Sequence, residues 1–362
     1  MSIIKKLTAG LLTLTMIFSL AACGDTSWAI KADKYQVKAG VYIYYELTSY
    51  YTAKGKLAKG ETDVFKSKIE DKDAKTWIKD DAAKEVKKYI VNEEQFDKLG
   101  LTLSDSDKAK IKVTLDNQWA QNGPLFKKNG ISEQSMSDII TNTFKQDLIF
   151  RKYYFVNGLE PVSENDVKTY YSDNYARVKS IAIQLKDGEG NLFKSDDKAK
   201  ALKMAEDYKS RATEDNFDNL IKEYKDYYAD IVAKATKTDG SSSQTDSSSS
   251  EATTEETDQY ANESIIAKGD TTPTKKFCDA VFSDAKVGET TIIQDDEVYY
   301  VVERLDILKR TDLYESNQNA IIYTMKSDEF TKKMDDWGKA LNLTMNDQAI
   351  NRYDPEKIKL TA

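Results

Sequence analysis

Apolar residues at helical spacing fill the chain before Pro161 and return after Asp312, and between them the spacing changes to strand-like alternation. That order limits the fold more than any single motif. From Lys79 to Leu99 the residues Ala82, Val86, Tyr89, Ile90, Phe96 and Leu99 fall near helical spacing, and Gly100 offers a stop. Ser104 with Asp107 reads as an N-terminal cap, followed by an i, i+4 stripe of Ile111, Leu115 and Trp119. Another helix is expected from Ser132, with Met136, Ile139, Ile140, Phe144 and Leu148 inward. From Asp312 to Leu341 a long helix carries Ile322, Met325, Phe330, Met334, Trp337 and Leu341. Such a stripe needs a partner surface, and the helices before Pro161 are the natural one. The sequence therefore predicts a first domain completed by the last segment, with a second unit inserted.

Trp28 to Glu46 alternates about the polar "KADK" and predicts a hairpin leading into a helix. In the inserted stretch, Ser163 caps a helix with Val167, Tyr170 and Tyr171 on one face, and Arg177–Leu185 predicts a strand. Amphipathic helices follow at Ser195–Ala212 and Asn216–Val232, then the strands "ESIIA" and "EVYYVVERLDIL", separated by a helix at "KKFCDAVFSD". Thr238 to Asp258 has almost no apolar residue and cannot repay its ordering entropy, which predicts a disordered loop. The expected segments are 1–22, 23–160, 161–310 (with the 238–258 loop) and 311–362.

At the start, Lys5 and Lys6 precede a charge-free run from Leu7 to Ala22, the layout of a secretory signal. The run is shorter than the roughly 20 residues a membrane-spanning helix needs, and Thr8, Gly10, Thr13, Thr15 and Ser19 dilute it. It ends in "LAAC", Leu20 to Cys23, which resembles a bacterial lipobox; the resemblance implies a lipid on Cys23 after cleavage. An ordinary signal with an incidental Cys23 is the alternative. A lipid would supply the hydrophobic anchor that the cleaved peptide no longer provides.

Removing 22 residues from 362 leaves 51 basic against 61 acidic side chains, a poor general binder of nucleic acid. With Cys23 lipidated, Cys278 is the one free thiol and no internal disulfide forms. The chain contains no histidine, which excludes Ser-His-Asp and Cys-His nucleophiles, histidine metal sites and imidazole bases. No phosphate loop, CxxC pair or EF-hand loop is present, and no cofactor or metal is expected. The acid pairs, such as Asp80-Asp81 and Asp295-Asp296, sit among lysines as solvated surface or helix starts.

Five segments in order resemble the PrsA and SurA type of extracytoplasmic foldases, which pair a helical chaperone domain with a parvulin-type peptidyl-prolyl isomerase domain. "VKSIAI" stands at the family's first strand, V-K-A-S-H-I, and "NFDNLIKEY" resembles D-F-x-x-L-A-K-E-Y. "AKGDTTPTKKFCDAVFSDAKVGETT" resembles the segment that begins G-K-G-x-M-x-P, and "VYYVVERLD" the closing strand G-Y-H-I-I-K-L. The resemblance implies an α+β chain, with a mainly helical chaperone domain and an inserted parvulin-like domain of antiparallel sheet plus helices. It also implies unfolded, newly secreted polypeptides as partners and a lipid-anchored place on the extracytoplasmic face of the membrane. A homo-oligomer is left open. The departures fall on the family's chemistry: Ala182 and Tyr300 occupy its two histidine positions, Thr271 replaces the pocket methionine, and the Ser/Thr stretch replaces G-G-D-L-G.

The expected function is therefore a membrane-anchored chaperone or foldase whose isomerase chemistry is partly or wholly lost, with no catalytic residue assigned. An active prolyl isomerase and a solute-binding lipoprotein of a transporter are the alternatives. Tyr300, Phe277 and Phe282 are the candidate peptide-binding residues, each of which also reads as core.

Overall fold

A computed structural model describes residues 28–187, 190–238 and 260–361. The apolar leader, Cys23 and residues 239–259 of the Ser/Thr stretch lie outside the described residues. The chain divides into two compact units, residues 1–161 with 323–362 and residues 162–322.

In the first unit, β1 (Trp28–Ala32) and β2 (Tyr35–Lys38) form the expected hairpin, turning at Asp33, whose φ is 49°. The chain enters α1 (Ala39–Gly55) directly from β2. A two-stranded hairpin, β3 (Lys68–Ile69) and β4 (Lys72–Asp73), was not anticipated because its strands are too short to show alternation. It delivers Asp73 as the N-cap of α2 (Ala74–Lys98), which begins five residues before the spacing alone suggested. Leu99 and Gly100, with φ of 61°, end it. The Ser104–Asp107 capping box opens α3 (Asp105–Lys128), and Ser132 caps α4 (Glu133–Tyr154). Only Ile111 of the α3 stripe is fully buried; Leu115 and Trp119 are half-buried. Across α2 and α4 the buried Asn92 donates to Asn142 Oδ1 at 2.8 Å, and Asn142 donates to the Tyr89 carbonyl at 2.9 Å, so neither amide donor is left unpaired.

The second unit opens with α5 (Glu164–Asn174), capped by Ser163. It continues through β5 (Tyr175–Gln184), α6 (Ser195–Arg211), α7 (Phe217–Thr238), β6 (Glu263–Ala267), α8 (Lys275–Ser283), β7 (Thr290–Gln294) and β8 (Val298–Leu305). The strands form one antiparallel sheet in the order β6-β5-β8-β7. Strand β7 was missed in the sequence because "GETTIIQ" is too brief to separate from a loop. One face carries Ile181, Ile183, Tyr299 and Val301 under α6 and α7; the other carries Val178, Tyr300 and Val302 under α8.

The long helix α9 (Thr311–Lys339) begins in the second unit and ends in the first, where its stripe meets α4. Phe150 stacks on Tyr323 at 4.3 Å between centroids and meets Phe330 edge-on at 5.2 Å, while Trp337 lies 5.5 Å from Tyr153. Beyond it, β9 (Thr344–Met345) pairs with β1, and α10 (Asp347–Arg352) follows. The architecture is α+β, mainly helical in the first unit. Among the described residues, no helix is long and apolar enough to cross a membrane.

Candidate functional site

Strand pairing brings the two positions at which the sequence departs from its resemblance face to face: Ala182 on β5 is the cross-strand partner of Tyr300 on β8. Phe277 of α8 covers them, its ring centroid 4.6 Å from that of Tyr300. Phe277 is 2% exposed and Tyr300 6%, so both are core residues of the α8 side of the sheet, joined there by Cys278 and Val281. Phe282 is half-buried at the border of the same cluster, beneath the Arg304 guanidinium at 5.4 Å. The structure thus gathers all three sequence-predicted residues on one face, with one of them partly open to solvent.

Both ends of α8 are pinned. Thr274 caps its N-terminus, accepting from the Phe277 amide at 3.1 Å and donating to Asp295. That hydroxyl holds the Asp295 carboxyl below the usual range. At the other end, Arg304 Nη1 donates to the carbonyls of Val281 at 3.1 Å and Ala285 at 3.0 Å, groups that a helix terminus leaves without partners. Burial of a side chain the size of Phe277 stabilises by about 1.5–3 kcal/mol, so lifting α8 to admit a ligand is costly.

The chemistry available here is limited. Burial pushes the Tyr300 phenol above its ordinary pKa, with Asp295 and Cys278 adding to the effect. Burial likewise raises the Cys278 thiol, whose Sγ donates to the Thr272 carbonyl at 3.2 Å. A thiol kept protonated in an apolar layer is neither nucleophile nor ligand. In folded protein lacking Cys23, Cys278 is expected to react with a disulfide reagent roughly a hundredfold or more slower than in urea-unfolded protein; equal rates would place it at the surface. Among the described residues, no group of three or more acidic or cysteine side chains could hold a metal ion.

Two features were not singled out from the sequence. Glu46 on α1 is completely buried, and neither carboxylate oxygen accepts a hydrogen bond of good geometry. Desolvation pushes its pKa up to about 8, opposed by Tyr42 and Lys79 and reinforced by Asp354. The second is an ion cluster in the other unit, where Glu263 binds Arg177 through two hydrogen bonds and Arg310 through one at 3.2 Å. A lone acid on a helix or strand carries no periodic signal, so only burial exposes either role.

No family model matches the sequence, and no curated protein matches it. Several solved structures are similar to it. A foldase protein PrsA from Lactococcus lactis shares 11% identity over 92% of this chain and 100% of its own, with a TM-score of 0.32. PrsA from Streptococcus pneumoniae shares 16% over 75% and 90%, with a TM-score of 0.32, and PrsA from Bacillus subtilis 16% over 86% and 94%, with a TM-score of 0.24. The solved structures to which this chain is similar are thus PrsA foldases, the family its motifs resemble.

Proposed function

We propose that the chain is a lipid-anchored extracytoplasmic chaperone that holds unfolded, newly exported polypeptides, its second unit retaining the parvulin-like fold without isomerase activity. The observation that carries this reading is the packing of Phe277 on Tyr300 opposite Ala182, which fills with core the place where the resemblance implies a proline pocket. Rotation about an X-Pro bond needs no covalent step, only a site that dries the imide and grips its twisted form against a barrier of about 20 kcal/mol. A face closed by a pinned helix provides no such grip. Shallow apolar surface remains outside the core, and weak contacts there suit a binder of many sequences.

In a protease-coupled assay on an X-Pro peptide, the purified chain is expected to add no rate above the uncatalysed reaction, while suppressing the aggregation of an unfolding client at several-fold excess. An added isomerisation rate would overturn the loss of catalysis, and unchanged light scattering would overturn the holding role. The anchor is tested separately: labelled palmitate should mark the wild-type chain in its native host and fail to mark Cys23→Ala.

A further inference from the structure

Strand β5 has neighbours on both sides over only part of its length. It pairs with β6 from Tyr175 to Lys179, but with β8 from Arg177 to Gln184. Two hydrogen bonds fix which way the remaining backbone points. The Leu185 amide donates to the Glu297 carbonyl at 2.8 Å, on the β8 side, whereas the Gln184 amide donates to the Tyr224 hydroxyl at 3.2 Å, on the opposite side. Backbone groups alternate along a strand, so the N–H and C=O groups of Ser180 and Ala182 face the same side as Gln184. Among the described residues no strand pairs with them there. Natural sheet edges are guarded by charge or proline, and Ser180, Ala182 and Gln184 supply neither.

Helix α7 passes over this edge. Its inward stripe of Phe217, Leu220, Ile221 and Tyr224 is buried on the sheet. The same helical spacing continues into Tyr227, Tyr228 and Ile231, which are 45%, 39% and 41% exposed, because β5 ends at Gln184 and offers nothing further to cover. Tyr228 stacks on Tyr224, the residue that hydrogen-bonds the strand, so the exposed rings are continuous with the core.

We infer that this corner is where the chaperone takes its client: an extended, apolar polypeptide segment adds as a strand along Ser180–Ala182 and lays its side chains against Tyr228 and Ile231. Main-chain donors and acceptors alternating along a strand are satisfied by another extended backbone and by few other ligands, and the aromatic wall selects apolar side chains over charged ones. The inference rests on the holding function proposed above and adds its place and geometry.

Residue-resolved hydrogen exchange on the full mature chain, with and without a proline-free apolar peptide of about twelve residues, tests it. In the free chain the Ser180 and Ala182 amides should exchange quickly while Ile181 and Ile183 stay protected, and the peptide should slow the first two by at least tenfold. Ala182→Pro removes a donor that makes no ladder bond, and the double variant Tyr228→Ser with Ile231→Ser strips the wall; each should weaken peptide binding about tenfold. Protection of Ser180 and Ala182 already present without peptide would overturn the inference, and its dependence on protein concentration would tell a second copy from the chain's own segment. Peptide binding that leaves these amides unprotected would remove this site and leave the holding function standing. Absence of any binding would remove both.

Discussion

Replacing Glu46 with Gln is expected to stabilise the first unit at neutral pH by about 3 kcal/mol and to leave it unchanged near pH 4.5. The carboxyl titrates from 4.5 in the unfolded chain to about 8 in the folded one, and each unit is worth about 1.4 kcal/mol. A raised acid stabilises the fold fully below the unfolded value, and that contribution is lost as pH rises toward the folded value. The loss is therefore about 3 kcal/mol at pH 7 and approaches about 5 kcal/mol above pH 8. Gln keeps the shape and polarity of the protonated acid without its titration, so the difference between the two proteins isolates this one group from the many surface acids that titrate oppositely. All four tryptophans, Trp28, Trp77, Trp119 and Trp337, lie in the first unit, so urea denaturation followed by tryptophan fluorescence reads that unit alone. The melting point should rise by roughly 6–12 °C at pH 7. A gap between variant and parent that stays constant from pH 5 to pH 8 would sink the assignment.

Glu263→Ala should destabilise the second unit by about 3–5 kcal/mol, because it leaves two buried guanidinium groups without their shared counter-ion. The side chains of Glu263, Arg177 and Arg310 are only 4%, 9% and 11% exposed, so water cannot substitute for the lost carboxylate. Arg310 keeps Asp312, and Arg177 keeps only the Asp306 carbonyl at 3.3 Å, which makes Arg177 the group most exposed to the loss. The geometry ties β6 to β5 and to the start of α9, so the damage should appear as opening of the sheet edge. Cys278 lies in this unit and reports it directly: labelling across a urea series should shift to lower urea, with the labelled fraction in water rising by about a hundredfold or more. A change of less than threefold would mean that the cluster is a solvated surface network.

Much of the helical framework was legible because each helix announces itself twice, by spacing and by a cap. Ser104 with Asp107, Ser132 and Ser163 all cap helices as expected. The stripe of α9 named its own partner, since Phe330 and Trp337 need an apolar surface and α4 supplies Phe150, Tyr153 and Tyr154. The short strands β3, β4, β7 and β9 were missed because two to five residues are too few to show a period of two.

The candidate site divides along the same line. That Ala182 and Tyr300 stand where a histidine pair is implied follows from residue identity alone, since no fold can supply an imidazole the chain does not contain. That the two are cross-strand partners, that Phe277 closes over them, and that β5 runs past β6 to leave Ser180 and Ala182 open depends on register and on where each strand stops. Local spacing determines which segments become helix or strand, because it acts between residues a few positions apart. Burial, pairing and the pKa of Glu46 arise between segments far apart in the chain, so only the packed structure decides them.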